Sequence, residues 1–428
     1  MKQFISKIWH SPSARNVGKL LSANVIAQAI GLLVYPVLTR LYSPEDFGLL
    51  NLFSSIAGVL VLLATAEYQY AIVLPKEDGK ARSLVHLCLL LLIVVTGVVV
   101  LSIPFAAPLA NLFNAPSLAQ YWYLLPVLVF GLGLWNILNY WYIRKSAFTR
   151  VSGYQITQSV FSAVSKIGFG TLGWLRGGLI FATVLSPLFS LLLSIGFAWK
   201  QYLRELLTFD RQKIRLVAKE FANFPKFNLL HSLVNMVGLS LPVWVLTPHF
   251  GLDEVGRLSL AMMAAFVPLN ILARACYQVL FQRVSEQVQL RRSIRGLLRK
   301  FVCWMSVAVV VGLAVVYFFL PQMVAILFGA EWTETAAIIK ALYPFLLFTP
   351  LCGSLCFLSD VFAKQKISMW LEIGYVTCLA ITLSVGVYMG NFIGAIRFFA
   401  WTGFLYLLIQ FIWFLSLAFR YEREIALD

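Results

Sequence analysis

The segment KQYLRELLTFDRQKIRLVAKEFANFPK, residues 200–226, divides the chain into two halves that are each rich in apolar residues. It contains seven Lys or Arg residues and three acidic residues, and it is the longest stretch without an apolar run of bilayer length. Taken alone, a basic run of this kind is compatible with nucleic-acid binding. The sequence on either side favours another interpretation, a segment at a membrane surface.

The composition indicates that the solvent of this fold is lipid. The chain is 60% hydrophobic and 12% charged, with a mean hydropathy of +0.83, whereas soluble domains contain about 25% charged residues. A soluble fold of this length could not bury so much apolar surface. The net charge of +16 is typical of a membrane protein whose cytoplasmic loops face anionic lipid, and we expect no nucleic-acid partner.

The apolar runs predict an all-α integral membrane protein. A hydrocarbon core of about 30 Å needs about 20 helical residues. The sequence predicts twelve transmembrane helices, at residues 19–41, 46–70, 83–107, 119–143, 151–173, 178–198, 227–248, 255–281, 301–321, 335–359, 367–389 and 393–418. In the fourth, the aromatic triplets 121–123 and 140–142 are nineteen positions apart, about 28 Å along a helix, which matches the separation of two membrane interfaces.

The distribution of basic residues predicts the orientation. Segments on the side of the N-terminus hold 27 of the 34 Lys and Arg residues, the opposite loops hold five, and two lie inside predicted helices. By the positive-inside rule both termini are cytoplasmic. Every outer loop is short, and the sequence has no Walker-type glycine motif, so transport would draw on a gradient or a separate subunit.

The two halves of the chain resemble each other. The segment 45–52, EDFGLLNL, is echoed by DEVGRLSL at 253–260, and LFNA at 112–115 by LFGA at 327–330. Because six helices are an even number, both halves begin on the same side and form parallel repeats. The predicted domains are a six-helix lobe at 1–198, a basic cytoplasmic linker at 199–226 and a second six-helix lobe at 227–428.

Two short segments have a local structural interpretation. Ser43-Pro44-Glu45-Asp46 predicts a helix start, with a capping serine, a proline at the first helical position and acids in the first turn. In the linker, an apolar stripe at helical spacing is formed by Ile214, Val217, Phe221 and Phe224. That stripe predicts an amphipathic helix on the inner leaflet.

Few charged residues lie within the predicted helices. Arg274 and Lys166 are intramembrane cations, which are costly and usually face a cavity or a partner, although snorkelling to an interface is the alternative. Arg40 ends the first helix, where it could anchor the helix or contact a ligand. Glu67 and Glu372 could couple proton or cation movement, or pair with basic residues.

Polar amides within the helices have two interpretations. They are Asn24, Gln28, Asn136, Asn139, Gln158, Asn235 and Asn270. Most would form hydrogen bonds between helices, and some could line a path for sugar. The four histidines are scattered and the six cysteines fall in apolar runs. We therefore predict no catalytic constellation, no metal site, no disulfide and no cofactor.

Several segments together resemble a known family. PVLTRLYSPEDFGLLNLF at 36–53 and YQYAIVLPKEDGKARSL at 68–84, followed by FPKFNLLHSLVNMVGLSLPV at 224–243 and ILFGAEW at 326–332, resemble bacterial polysaccharide repeat-unit flippases of the Wzx type. These flippases belong to the multidrug/oligosaccharidyl-lipid/polysaccharide exporter superfamily. The resemblance covers nearly the whole chain and rests on the order and spacing of the segments.

The resemblance implies two six-helix lobes around a central cavity that work by alternating access. The implied cargo is an undecaprenyl-pyrophosphate-linked oligosaccharide, moved from the cytoplasmic to the periplasmic leaflet for O-antigen, capsule or exopolysaccharide assembly. The partners it implies are membrane lipids, a polysaccharide polymerase and a chain-length regulator. It also implies cationic residues facing the cavity, a role open to Arg274, Lys166 and Arg40.

Two other functions remain open from the sequence. A cation-coupled multidrug exporter of the same superfamily would favour acidic residues deep in a lobe, whereas the deepest charge is Arg274. A membrane polysaccharide polymerase or ligase would need a long outer loop carrying catalytic residues, and no such loop is present. We therefore expect a transporter and not an enzyme.

Overall fold

A computed structural model describes residues 12–207 and 211–427 of the chain. Residues 1–11, 208–210 and 428 lie outside the described residues, and with them much of the basic N-terminus that the sequence assigns to the cytoplasm. The α-helices are α1 Pro12–Leu41, α2 Pro44–Thr65, α3 Asp78–Leu101, α4 Ala106–Asn111, α5 Leu125–Arg144, α6 Phe148–Thr171, α7 Leu175–Ala198, α8 Arg211–Glu220, α9 Leu229–Gln289, α10 Arg295–Phe328, α11 Thr335–Leu355, α12 Leu358–Val361, α13 Gln365–Tyr388 and α14 Phe392–Leu427.

The all-α membrane fold is confirmed, but the count of spans differs from twelve. Ten segments of the described chain are long and apolar enough to cross a membrane. The predicted spans 227–248 and 255–281 both lie in α9, where Gly251 has the non-helical angles φ 85° and ψ 172° and forms a kink between two helical stretches. These two stretches are counted together among the ten segments. The predicted span 151–173 is α6, which has 24 residues but is not among the ten because its sequence is too polar.

The described chain forms two compact units, the first ending at Met236 and the second beginning at Val237. In the first unit, α6 packs along both α1 and α7, and α5 packs against α2, α3 and α7. A core cluster of this unit includes Leu84, Leu92, Trp141 and Tyr142, all fully buried. Large side chains from α3 and α5 therefore hold the centre of the unit.

The start of α2 has the cap that its sequence predicts. Ser43 Oγ accepts a hydrogen bond from the Asp46 amide at 3.4 Å, and the Asp46 carboxylate accepts one from the Ser43 amide at 3.0 Å. Pro44 occupies the first turn, where a missing N–H has no cost. The capping interpretation of this acidic segment is confirmed.

The linker helix α8 and the residues after it place the predicted apolar stripe against the first unit. The stripe begins with Ile214 and Val217 on α8 and continues with Phe221 and Phe224 beyond its end. Val217 is 1% exposed and belongs to the core of the first unit. The Tyr68 hydroxyl donates a hydrogen bond to the Ala218 carbonyl oxygen at 2.9 Å. The stripe is covered by protein because this contact buries the same apolar area and also satisfies a backbone acceptor.

Ion pairs hold the segment before α8 against the same unit. Lys145 Nζ lies 3.0 Å from an Asp78 oxygen and 2.9 Å from a Glu205 oxygen, and Arg144 contacts Asp78 at 2.7 Å. Burial alone would lower the pKa of Lys145, but its hydrogen bonds to Glu205 and Asp78 outweigh that effect and raise the pKa. This end of the first unit is thus joined to the linker by charge as well as by apolar contact.

The second unit contains most of α9 together with α10, α11, α13 and α14, and α14 packs on both α11 and α13. One of its clusters includes Leu280, Phe357 and Phe414. Near the end of α14, Glu422 accepts hydrogen bonds from the amides of Ile294 at 2.6 Å and Arg295 at 2.9 Å. A carboxylate therefore satisfies free amides at the positive end of α10.

The echoed sequences 112–115 and 327–330 form similar turns. Asn114 has φ 49° and Gly329 has φ 99°, both in the left-handed region that favours Asn and Gly. Each turn leads into a 3₁₀ segment, Pro116–Leu124 in one half and Ala330–Trp332 in the other. The sequence repeat thus corresponds to a repeated way of ending one helix and entering the next.

Replacing Gly386 tests the close contact between α13 and α14. A Cβ added at Gly386 would lie 2.7 Å from the Cα of Ala395, whereas one added at Gly312 of α10 would meet nothing within 4 Å. We expect Gly386→Ala to lower the free energy of unfolding by about 1–3 kcal/mol through overpacking. Gly312→Ala should be neutral or slightly stabilising because Ala favours a helix more than Gly does. Thermal unfolding of the purified proteins in detergent measures both, and a Gly386→Ala protein as stable as wild type would contradict the contact.

Candidate functional site

A polar cavity of about 350 Å³ lies between α1 and α6 in the first unit. Its lining residues are Asn24, Ala27, Gln28, Gly31, Val34, Tyr35 and Leu38 of α1 and Gln155, Gln158, Ser159, Ser162, Ala163 and Lys166 of α6. On each helix these residues recur at intervals of three and four, which places them on one helical face. The residues that make α6 too polar for a simple span therefore line this cavity.

The cavity lining combines polar and apolar side chains and includes one cation. Eight of the thirteen lining residues are polar: three glutamines, one asparagine, two serines, one tyrosine and one lysine. Side-chain amides both donate and accept hydrogen bonds, and hydroxyls do the same. Lys166 supplies the single positive charge. Such a lining matches a ligand with many hydroxyl groups and an anionic group.

Hydrogen bonds hold α6 in register with α1. Ser159 Oγ donates to the Ala27 carbonyl oxygen at 2.8 Å. Beyond the end of α1, the Tyr42 hydroxyl donates to the Lys166 carbonyl oxygen at 2.7 Å. The two bonds are fifteen residues apart on α1 and its extension and seven residues apart on α6, so they hold the two helices together at two levels of the cavity.

One lining amide has an unsatisfied acceptor. Gln155 Oε1 is buried and accepts no hydrogen bond from any described residue. By contrast, Gln28 Nε2 donates to Asn24 Oδ1 at 3.4 Å. A buried carbonyl oxygen without a donor costs about 1–3 kcal/mol, and a hydroxyl group of a ligand in the cavity could supply that donor.

Lys166 is a half-buried cation on a helix of membrane length. Within the described part of the chain its ammonium group makes no ion pair. A charge at bilayer depth costs at least about 2.5–3.5 kcal/mol on insertion scales, and such residues usually face a cavity or a partner. Here the side chain lines the cavity, where an anionic ligand could neutralise it.

The other predicted cations lie elsewhere. Arg40 is exposed in the last turn of α1 and is not part of the cavity lining, although it interacts with other groups. Arg274 belongs to the second unit, where it is exposed on α9. Glu372 lies on α13 near the stacked rings of Tyr375 and Tyr406, whose centroids are 4.3 Å apart. Within the first unit the cavity thus contains Lys166 and not Arg40.

Glu67 lies at a sharp turn that follows α2. The helix ends at Thr65, and the next two residues, Ala66 and Glu67, have φ 46° and 63°. Two consecutive left-handed residues without glycine are strained. They direct the Glu67 side chain into the protein, where it is 1% exposed.

The environment of the Glu67 carboxyl favours its neutral form. Burial raises its pKa, while Ser232, Tyr70 and His231 face the carboxyl and lower it by a smaller amount. Neither carboxyl oxygen accepts a hydrogen bond of normal geometry from a described residue. On α5, the Tyr140 ring packs edge-on against the Tyr70 ring, with centroids 4.9 Å apart. Glu67 is therefore a buried group that could take up and release a proton.

Sequence reasoning found part of the cavity and missed the rest. Among the amides expected inside the helices, Asn24, Gln28 and Gln158 line it. The lining residues Tyr35, Gln155, Ser159 and Ser162 were not anticipated. A signal was present, because residues 155, 158, 159, 162 and 166 form a polar stripe at spacings of three and four in a segment that otherwise reads as a span.

The fold is similar to solved transporters. A structure of the lipid II flippase MurJ in an inward closed conformation has a TM-score of 0.74 at 13% identity and covers 95% of this chain and 92% of that chain. An inward-facing multidrug resistance MATE family transporter of the MOP superfamily has a TM-score of 0.70 at 17% identity, over 94% and 96% of the two chains. At these identities the similarity establishes the fold alone.

Sequence comparison identifies the family. The succinoglycan biosynthesis transport protein ExoT of Rhizobium meliloti (strain 1021) is 24% identical over 330 residues, which is 74% of this chain and 63% of that relative. The chain thus matches less than two thirds of the relative's length. Residues 37–337 match the profile of the family described as polysaccharide biosynthesis protein. Because this match covers more than half of the chain, the protein is a multi-pass membrane protein of the polysaccharide biosynthesis protein family with the fold of MOP superfamily transporters.

Proposed function

We propose that the protein is a transporter that moves a lipid-linked oligosaccharide from the cytoplasmic to the periplasmic leaflet of the bacterial inner membrane by alternating access. The cargo is an undecaprenyl-pyrophosphate-linked repeat unit for O-antigen, capsule or exopolysaccharide assembly. The family membership and the named role of the relative in succinoglycan transport support this proposal. The observation that carries it is Lys166 in a cavity lined by amides and hydroxyls.

The cavity chemistry corresponds to the two parts of such a cargo. The Lys166 ammonium group would bind a phosphate oxygen of the pyrophosphate through a charge-assisted hydrogen bond. The amides and hydroxyls around it would exchange hydrogen bonds with the sugar, and Gln155 Oε1 has an open acceptor position for a sugar hydroxyl. The ring of Tyr35 offers a flat apolar surface in the same cavity.

Glu67 is the group we assign to proton coupling. A carboxyl that stays neutral in the buried state and ionises when water reaches it can link protonation to a conformational change. The groups that face it are Tyr70, Ser232 and His231. Glu372, beside two tyrosines in the second unit, is a second candidate for such coupling.

The remaining features of the proposal concern orientation and partners. Both termini are cytoplasmic, and residues 1–198 and 227–428 form the two lobes that move, joined by the linker 199–226. Arg274 and Arg40 are additional cations that the cargo could meet during transport. A polysaccharide polymerase and a chain-length regulator would take the cargo on the periplasmic side.

Deleting the gene tests the function directly. We expect surface polysaccharide to fall and lipid-linked repeat units to accumulate in the cytoplasmic leaflet, where they are protected from periplasmic enzymes. A plasmid copy should restore both. Unchanged surface polysaccharide together with increased sensitivity to toxic cations would instead indicate a drug exporter of the same superfamily.

Replacing Lys166 tests the cavity. A hydrogen bond to a charged group contributes about 1.5–3 kcal/mol, so Lys166→Gln should lower the transport rate of the lipid-linked oligosaccharide about ten- to a hundredfold. Lys166→Arg, which keeps the charge, should retain more activity. Lys366→Gln removes an equal charge at an exposed position of α13 and should transport normally. If Lys166→Gln, present in the membrane at wild-type amounts, transports at the wild-type rate, Lys166 does not contact the cargo.

Replacing Glu67 tests the buried carboxyl through the pH dependence of stability. In the unfolded chain the carboxyl ionises at its ordinary pKa, whereas the folded protein keeps it protonated to a higher pH. The folded state therefore loses stability as the pH rises from the ordinary to the raised pKa. We expect the melting temperature of Glu67→Gln to equal that of wild type near pH 4 and to exceed it at pH 8 by roughly 2–4 °C.

Fluorescence-detected unfolding in detergent at several pH values measures this difference. Glu77→Gln, at an exposed position ten residues farther along the same connection, is the matched control and should show no pH-dependent gain. An equal difference between Glu67→Gln and wild type at every pH would mean that the carboxyl does not titrate in this range.

A further inference from the structure

The second unit contains a groove with chemistry unlike that of the Lys166 cavity. It lies between the C-terminal part of α9 and the N-terminal part of α10 and has a volume of about 750 Å³. Arg283 and Lys300 are its only charged lining residues, and apolar groups such as Val279, Phe301 and Trp304 form most of its wall. We refer to it as the Arg283–Lys300 groove.

The two cations of the groove are not neutralised by the described protein. Arg283 and Lys300 are both exposed, and neither makes an ion pair with a described carboxylate. Glu286, three residues after Arg283 on α9, makes no ion pair with it. Glu422 is already engaged by the start of α10, where it accepts hydrogen bonds from Ser293 Oγ at 2.8 Å and the Ile294 amide at 2.6 Å. The groove is therefore a net positive site.

The cations lie at matching depths. Arg283 is six residues before the end of α9 at Gln289, and Lys300 is five residues after the start of α10 at Arg295. At the rise of an α-helix these intervals are about 9 and 8 Å. The two helices run in opposite directions from their short connection, so both cations lie at the same depth. The apolar wall of the groove lies farther from the connection than the two cations do.

The groove continues into an apolar surface of α10. Trp304 is 76% exposed and Phe318 is 74% exposed, and between them Val307, Val311 and Val315 are also exposed. These positions recur at intervals of three and four, so they form one face of the helix over about 21 Å. An apolar face of this length on a membrane protein is covered by hydrocarbon. The groove thus opens where lipid lies.

We propose that the Arg283–Lys300 groove is a binding site for an anionic phospholipid of the bilayer. Arg283 and Lys300 hold the phosphate group, and the acyl chains follow the wall past Val279 and Trp304. A basic pocket between transmembrane helices selects an anionic headgroup, and a tryptophan at the interface matches the boundary of headgroup and chain. A zwitterionic lipid would bring its own ammonium group against the two cations and bind less well.

The site is distinct from the cargo site and does not depend on the proposed function. Its volume lies within the range of about 300–1,000 Å³ that is typical of small-molecule sites, which accommodates a glycerophosphate headgroup and the first methylenes of its chains. By the positive-inside rule the basic connection between α9 and α10 faces the cytoplasm. The bound lipid therefore comes from the inner leaflet.

Lipid binding to the purified full-length protein tests the site. Delipidated protein in mild detergent is titrated with phosphatidylglycerol and, separately, phosphatidylethanolamine, and bound lipid is counted by native mass spectrometry. For the double variant Arg283→Gln/Lys300→Gln we expect at least a tenfold loss of affinity for phosphatidylglycerol and unchanged binding of phosphatidylethanolamine. Lys364→Gln/Lys366→Gln removes the same charge from exposed positions of the same unit and should bind like wild type.

Two further measurements locate the lipid and identify its chemistry. Phosphatidylglycerol with brominated acyl chains should quench tryptophan fluorescence in wild type, and part of that quenching should be absent in Trp304→Phe. Equal phosphatidylglycerol affinity in the double variant and wild type overturns the proposal. An equal loss of phosphatidylglycerol affinity in the control variant also overturns it. Complete displacement of the lipid by inorganic phosphate at matching concentration would overturn it too, because it would indicate a phosphate site without acyl contacts.

Discussion

The structure depends on one constraint, the absence of water in the hydrocarbon core. A backbone amide or carbonyl that cannot reach water must bond within its own segment, which leaves helices as the only elements for this chain. The same constraint makes every polar side chain at bilayer depth costly unless it has a partner or a cavity. The polar face of α6 therefore lies against α1 around a cavity, and the apolar face of α10 is exposed to lipid.

Charge is placed in two settings in the first unit, and each setting gives it a different role. At the end of the unit where α5 meets the linker, Lys145, Asp78 and Glu205 neutralise one another and join the linker to the unit. In the cavity, Lys166 has no described counter-ion. Exposed pairs contribute little free energy, so the first group has a structural role. An unpaired cation in a polar cavity is instead available to a ligand.

The two units share a pattern of turns but not of chemistry. Left-handed residues end a helix at Asn114 and at Gly329, as expected for a duplicated sequence. The first unit has an amide-lined cavity with one lysine, and the second has a groove with two cations and an apolar wall. Duplication thus preserved the backbone design, because helix ends must satisfy their hydrogen bonds in either copy, whereas the side chains that meet ligands diverged.

The sequence by itself determined the membrane class, the helical fold, the cap at Ser43 and the family resemblance, because each of these follows from local composition and spacing. The twelve predicted spans and the ten apolar segments differ because two predicted spans lie on either side of the Gly251 kink in α9, and because the polar residues that line the cavity lower the hydropathy of α6. Only the tertiary structure decided that the stripe around Val217 contacts protein, that Lys166 shares a cavity with Asn24, and that Arg40 stands outside it. Those facts depend on which helix faces meet, and residues more than a hundred positions apart carry no local signal of that contact.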